Sequence, residues 1–206
     1  TDFSVDVNTE RAGQVHNNGS IQNGALYNVT NKKFGSASMN FNGIDSYISI
    51  PDKTSIEPAK ITLEVWIMPT KLGSTTIISK RAPVDVNDFG YQIQLTPQGN
   101  VSILMDIGSS QAAAVSKDLV KVGTWHHIVG TWDGSAVLAY VDGIKQPNTQ
   151  SVSGSITSNQ PLWIGAEGES TPSGFYNGTI DEVAIWNRSL SAKEVENLYK
   201  RGALRL

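Results

Sequence analysis

Residues 124–146 read Thr-Trp-His-His-Ile-Val-Gly-Thr-Trp-Asp-Gly-Ser-Ala-Val-Leu-Ala-Tyr-Val-Asp-Gly-Ile-Lys-Gln, and this stretch limits the fold more than any other. Two Asp-Gly pairs, Asp133-Gly134 and Asp142-Gly143, separate runs of aromatic and β-branched residues. Asp-Gly supplies the positive φ angles of tight hairpins, so the segment predicts an antiparallel meander of three strands. Strands carrying Trp, Val and Ile along their length need a second layer over at least one face. A β-sandwich is therefore expected.

The rest of the chain agrees. Ile61, Leu63, Val65 and Ile67 alternate with Thr62, Glu64, Trp66 and Met68. Tyr91, Ile93 and Leu95 alternate with Gln92 and Gln94, which predicts a half-buried strand with a polar outer face. Roughly a dozen short strands are spaced as in a sandwich or jelly roll. One short helix is expected at the end. Ser191 and Glu194 have the spacing of a capping box, Leu190 and Val195 that of a hydrophobic staple, and Gly202 is positioned to close the C-terminus.

Composition narrows the function classes. The 206 residues suit one all-β domain, 1–206, expected to be a module of a larger protein. The formal net charge is −3, and Lys32-Lys33 and Lys80-Arg81 read as solvated pairs, so neither nucleic acid nor an anionic membrane is an expected partner. No cysteine is present, which removes disulfides, thiolate metal sites and cysteine nucleophiles. No apolar run reaches the length of about 18 residues that a spanning helix needs, so no membrane insertion is expected.

Several phrases together carry a resemblance. They are Phe41-Asn-Gly-Ile-Asp-Ser-Tyr-Ile48, Ile61-Thr-Leu-Glu-Val-Trp66, the meander itself, Tyr140-Val-Asp-Gly143, and the run from Gly178 through Thr-Ile-Asp-Glu-Val-Ala-Ile-Trp to Ser191. In this order they resemble the concanavalin A-like lectin/glucanase superfamily, and within it the laminin-G-like jelly-roll domains, from about Asn18 to Tyr199. The resemblance implies an all-β jelly-roll sandwich of two antiparallel sheets with the short C-terminal helix appended. It also implies an extracellular, secreted or cell-surface, module that binds a glycan, a polysaccharide or a protein. Many relatives hold a structural calcium ion through an acid equivalent to Asp181. Carbonyls near Gly35 or Asn42-Gly43, or an acid such as Asp2 or Asp6, would complete that shell. A hydrogen-bonded structural role for Asp181 is the alternative.

The candidate chemistry follows. Related glucanases use two carboxylates at alternate positions of one strand, because only i and i+2 share a cleft face. No Glu-x-Asp-x-x-Glu occurs here and Glu64 stands alone on its strand, so no catalytic residue is assigned. His126 and His127 are neighbours on a strand and point to opposite faces, so they are not expected to share one ion, and the resemblance places them in a core hairpin as a structural pair. Sugar binding needs an aromatic platform flanked by amides, carboxylates and hydroxyls on loops. The best such loops are Asp88-Phe-Gly-Tyr91 and residues 165–177, which nominate Asp88, Phe89, Tyr91, Glu167, Tyr176 and Asn177. The leading expectation is a non-catalytic carbohydrate-binding module. The alternatives are a protein-binding adhesion module and, further off, a glycan-cleaving domain.

Overall fold

A computed structural model describes residues 3–8, 15–81, 90–107, 110–168 and 171–204, with segments 3–8 and 15–16 described by their backbone alone. The described strands are β1 (Phe3–Asn8), β2 (Val15–Gln22), β3 (Leu26–Asn28), β4 (Ser38–Asn42), β5 (Tyr47–Ile50), β6 (Ile61–Pro69), β7 (Thr75–Lys80) and β8 (Tyr91–Leu95). They continue with β9 (Val101–Ile107), β10 (Ser110–Val115), β11 (His126–Trp132), β12 (Ala136–Val141), β13 (Ile144–Lys145), β14 (Gln150–Ser151), β15 (Leu162–Ile164) and β16 (Asn177–Trp186). The helix α1 spans Ala192–Ala203.

The expected meander forms. Asp142 and Gly143 both take positive φ, 51° and 76°, which is the backbone that turns β12 into β13. Asp133 closes the turn before β12 by accepting the N–H groups of Ser135 and Ala136 on its Oδ1. Around this nucleus two sheets assemble. Sheet I runs β1-β16-β6-β11-β12-β13, with β4 beside the first half of β16 and β14 on the edge of β12. Sheet II runs β10-β9-β8-β7-β15-β5-β2, and β2 also pairs with β1, joining the two. Pairing is antiparallel except between β1 and β16, which run parallel. The fold is the expected two-sheet jelly-roll sandwich with its C-terminal helix.

The inner faces meet in a core of Ile61, Leu63, Val65 and Ile67 from β6 against Ile93, Ile103, Ile48 and Ile164 from sheet II. Gly130 shows how close the sheets come, since a Cβ there would lie 2.5 Å from the Ile103 side chain. The outer face of β6 departs from a simple alternation. Thr62, Glu64 and Trp66 are buried too: the 188–190 segment engages Thr62, Trp186 binds Glu64, and Tyr199 and Gly202 of α1 lie over Trp66.

The capping box on α1 is present in both directions between Ser191 and Glu194. Leu190 and Val195 pack with Val129 and Tyr140 under the helix. Gly202 does not close the helix, which continues to Ala203. It lies in the last turn, where a Cβ would stand 2.1 Å from the Trp66 ring. Its smallness lets the helix approach the sheet.

Candidate functional site

The outer face of sheet I, beside α1, carries a polar and aromatic assembly, with a cavity between the sheet and the helix lined by Phe34, Glu64, Trp66, Glu182, Leu198 and Arg201. Strand pairing sets Trp66 beside His127 and Glu64 beside Val129. The Trp66 and His127 rings stack at 4.9 Å, and Tyr199 of α1 stacks on Trp66 at 5.9 Å. Glu64 uses both oxygens, Oε1 with His127 Nε2 at 3.1 Å and Oε2 accepting from Trp186 Nε1 at 3.0 Å. His126 turns the other way, with Nδ1 2.8 Å from Asp142 Oδ2 and Nε2 accepting the Lys121 N–H. Two histidines adjacent in sequence thus have separate carboxylate partners, and Glu64 is committed to holding the helix side together.

Asp181 belongs to the same assembly. Its Oδ2 accepts the backbone N–H groups of Lys33 and Phe34 at 2.7 and 3.0 Å, and its Oδ1 accepts that of Glu182 at 2.9 Å. Burial holds the carboxyl above its ordinary range, against the opposing pull of the three N–H groups. The clamped loop then covers Trp66, with the Lys33 ammonium 4.5 Å over its ring and Phe34 edge-on at 6.1 Å. Gly35 follows directly, in the left-handed region at φ 61°.

The two metal candidates therefore come together, but through N–H donors aimed at the carboxylate. A calcium shell needs oxygen ligands pointing inward. Among the described residues no group of three or more His, Cys, Asp or Glu is placed to hold a metal ion. Among the described residues, Asp181 has the hydrogen-bonded role, with N–H groups where a calcium shell would place oxygens. Asp2 and the Asp6 side chain lie outside the described residues.

The outer face of sheet II has a different character. Antiparallel register places Trp163 of β15 beside Ser79 of β7, and Ser79 beside Gln92 of β8. Gln92 Nε2 donates to Thr76 Oγ1 at 3.2 Å and to Glu167 Oε2. Arg81 pairs with Asp106 at 3.0 Å and reaches Gln92 Oε1 with a second nitrogen. Tyr47 stacks on Trp163 with centroids 5.0 Å apart and planes 13° apart, and Phe175 tilts against Tyr47 at 6.5 Å. Trp163 Nε1, Ser79 Oγ and Arg81 Nε are buried without a hydrogen-bond partner. A buried donor left unmade costs about 1–3 kcal/mol, and here three lie beside partly exposed aromatic rings, Tyr47 and Phe175.

Of the two loops nominated from sequence, the one at residues 165–177 borders this face. The Glu167 loop is tied to β7 by Gly165 N–H to the Ile77 carbonyl at 2.9 Å and Thr76 N–H to the Gly174 carbonyl at 2.7 Å. Glu167 points its carboxylate at Gln92. Asp88 and Phe89 lie outside the described residues, in the segment between Arg81 and Gly90. Tyr91 requires a correction, because it faces inward, is 0% exposed and donates its hydroxyl to the Ile56 carbonyl at 3.0 Å. Tyr176 is also 0% exposed and meets Phe41 edge-on at 6.4 Å. Neither ring offers a face to a ligand. Asn177 stands at the start of β16, on sheet I, with Nδ2 donating to the Asn42 carbonyl.

Three residues of this face were passed over in the sequence, although strand parity marks two of them. Gln92 was visible as the polar side of its strand, and Trp163 alternates with inward Leu162 and Ile164. Arg81 read as a solvated charge. Its neighbour Lys80 is a second correction, being 0% exposed.

Comparison with known proteins follows the same lines. C-reactive protein 1.4 of Limulus polyphemus is 28% identical over 154 residues, 68% of this chain and 62% of that protein. The binding domain of Paraclostridial Mosquitocidal Protein 1 superposes with a TM-score of 0.74 at 19% identity, over 97% of this chain and 51% of that one. The chain thus spans only part of these relatives. Domain 4 of the extracellular arabinanase AbnA from Geobacillus stearothermophilus, solved with arabinotriose, superposes with a TM-score of 0.68 at 21% identity, over 88% of each chain. These likenesses show the fold. The family model described as the concanavalin A-like lectin/glucanases superfamily matches residues 42–196, the greater part of the chain, and the protein belongs to that family.

Proposed function

We propose that the chain is a non-catalytic carbohydrate-binding module of an extracellular protein, and that it binds glycan on the outer face of sheet II. The row Trp163–Ser79–Gln92, with two unpartnered polar atoms among its three residues, carries this reading. Sugar hydroxyls both donate and accept, so they suit an indole N–H, a serine hydroxyl and a guanidinium Nε at once. Tyr47 and Phe175, both partly exposed, supply apolar surface for sugar C–H faces. The arabinotriose bound to the arabinanase domain recommends arabino-oligosaccharides as the first probe. A catalytic role is disfavoured, because Glu64 is engaged by His127 and Trp186 under the helix.

The test is a glycan and polysaccharide binding screen on the whole chain, run with calcium and with chelator, followed by Trp163→Phe and Glu167→Gln. Trp163→Phe removes the indole donor together with one of its two fused rings, and keeps one aromatic ring against Tyr47. Loss of one such hydrogen bond should weaken binding about tenfold or more. Binding unchanged in both variants would move the site elsewhere. No glycan binding, alongside saturable binding to a protein, would favour the adhesion reading. That second reading has its own support in Leu26, Val29 and Ile44, which are 64%, 66% and 74% exposed. Among the described residues no helix is long and apolar enough to cross a membrane.

A further inference from the structure

Lys80 ends β7 and turns its side chain into the sandwich rim, where it is 0% exposed. Its three N–H groups donate to Asp52 Oδ1 at 2.6 Å, the Ser158 carbonyl at 2.9 Å and the Gln160 carbonyl at 2.8 Å. Glu57 Oε1 stands 3.1 Å away as a charge contact, itself buried and without a hydrogen bond. Four oxygens from two connections therefore converge on one nitrogen carried by a third element. One connection, 51–60, joins β5 to β6 and carries the 3₁₀ turn Thr54–Ile56. The other, 152–161, leads into β15.

This is the donor set of a hard-cation site, two carboxylates and two backbone carbonyls around one positive charge. The formal charge is −2 from Asp52 and Glu57 and +1 from Lys80, so one negative charge is left over. Tyr91, whose hydroxyl binds the Ile56 carbonyl, has its ionisation pushed well up by burial first and then by Glu57 and Asp52, in accord with that surplus. We propose that the cage is a cation site whose resident ion is the chain's own tethered ammonium, and that it accepts calcium once that ammonium is removed. A divalent ion neutralises both carboxylates. The observed 2.6–3.1 Å spacing must contract only by a few tenths of an ångström to reach the roughly 2.3–2.6 Å of calcium–oxygen contacts. The two connections are thus fixed to β7 by a lysine in the manner of a structural metal, with no dependence on a free ion.

Two variants of the full chain test this. Lys80→Met keeps the stem and removes the charge, while Lys80→Ala removes both and leaves room for an ion with its waters. Lys80 is buried while Asp52 is 42% exposed and partly screened by solvent, so removing the ammonium should lower the melting temperature of either variant by about 5 °C or more in chelator. Millimolar calcium should restore a large part of that loss in Lys80→Ala and none in Lys80→Met or the wild type. Terbium should show sensitised emission in Lys80→Ala above the wild-type level. A Lys80→Met protein that melts with the wild type would overturn the proposal, as would a Lys80→Ala protein that gains nothing from calcium. If Lys80→Ala is unfolded in chelator, refolding on calcium addition supports the site and failure to refold overturns it. The wild type gives an independent reading. A hydrogen-bonded, buried ammonium should show a slowly exchanging Lys80 NH₃⁺ resonance, and rapid exchange would exclude the closed cage.

Discussion

The two outer faces of the sandwich both carry buried aromatic and charged residues, yet they differ in what lies over those residues. On sheet I, Glu64 uses both oxygens and Asp181 accepts three backbone N–H groups, while Trp66 is covered by Lys33, Phe34 and Tyr199. On sheet II, Trp163 is stacked by Tyr47 but its Nε1 has no partner, and neither has the Ser79 hydroxyl beside it. His127 Nδ1 and Thr131 Oγ1 on sheet I also lack a partner, so the faces are separated by their cover: His127 lies under the stacked Trp66 and Tyr199 rings, whereas Trp163 and Ser79 border the partly exposed rings of Tyr47 and Phe175. Aromatic content alone does not separate the faces, because each has a tryptophan with a tyrosine stacked on it.

The largest expected effect breaks the helix-covered side. Trp66→Ala removes the ring that α1, His127 and the 33–34 loop all contact, and should cost about 3–5 kcal/mol, lowering the melting temperature by more than about 6 °C. Glycan binding by the folded fraction should be unchanged. Scanning calorimetry with a binding assay below the transition checks both parts. A loss of affinity without loss of stability would reverse the assignment of the two faces.

Ser79→Ala sharpens the comparison from the other side. Its hydroxyl is buried without a partner, so deletion should stabilise the free protein by about 1 kcal/mol, some 2–4 °C, while weakening glycan binding. Opposite signs for stability and affinity mark a residue kept for a ligand. A variant that melts lower than the wild type would show that the hydroxyl is satisfied in the free protein, and would remove Ser79 from the site.

These contrasts explain what could be read in advance. The Asp-Gly turns, the inward row of Ile61, Leu63, Val65 and Ile67 and the Ser191–Glu194 capping box are local, with every determinant within a few residues, and each is found as expected. Which face of β6 is covered depends on Trp186, the 188–190 segment and α1, more than a hundred residues later. Tyr91 and Tyr176 looked like rim residues because they flank glycine-rich loops, but strand parity turns Tyr91 inward and the Phe41 ring lies against Tyr176. Lys80 was the least legible residue. Its carbonyl partners Ser158 and Gln160 lie 78 and 80 positions away, and a basic pair on its own cannot show that four oxygens will surround it.

Acid titration distinguishes the buried and rim parts of the helix-covered side. Asp181 has its carboxyl raised above 3.8 by burial, so its contribution to stability is fully present below that pH and is lost as pH rises through the folded value. The stability advantage of the wild type over Asp181→Asn should therefore narrow as pH rises from about 3 to 6. At neutral pH the variant should still be the weaker by about 1 kcal/mol, because the amide of Asn can accept for Lys33 and Phe34 but not also for Glu182. Melting curves in that pH series decide the matter. An advantage that widens with pH would mean that the N–H groups outweigh burial.

Glu194 gives the smallest effect, with the opposite slope. The Arg188 side chain is the main cause holding its carboxyl down at about 2, followed by the Ser191 backbone N–H and hydroxyl. A depressed acid contributes stability above its unfolded value of 4.5, and that contribution is lost as pH falls toward the folded value. The group is 42% exposed, so solvent screening reduces the effect to a few tenths of a kcal/mol, felt as fraying of the first turn of α1. Glu194→Gln keeps an oxygen for the capping box but removes the charge, and should abolish the pH dependence of amide exchange at residues 192–195 between about pH 4.5 and 2. Exchange in the variant that still rises on acidification would place the sensitive group elsewhere on the helix. Exchange that spreads to Trp66 and His127 in the wild type would mean that the cap and the buried assembly open as one unit, coupling the rim of this face to its centre.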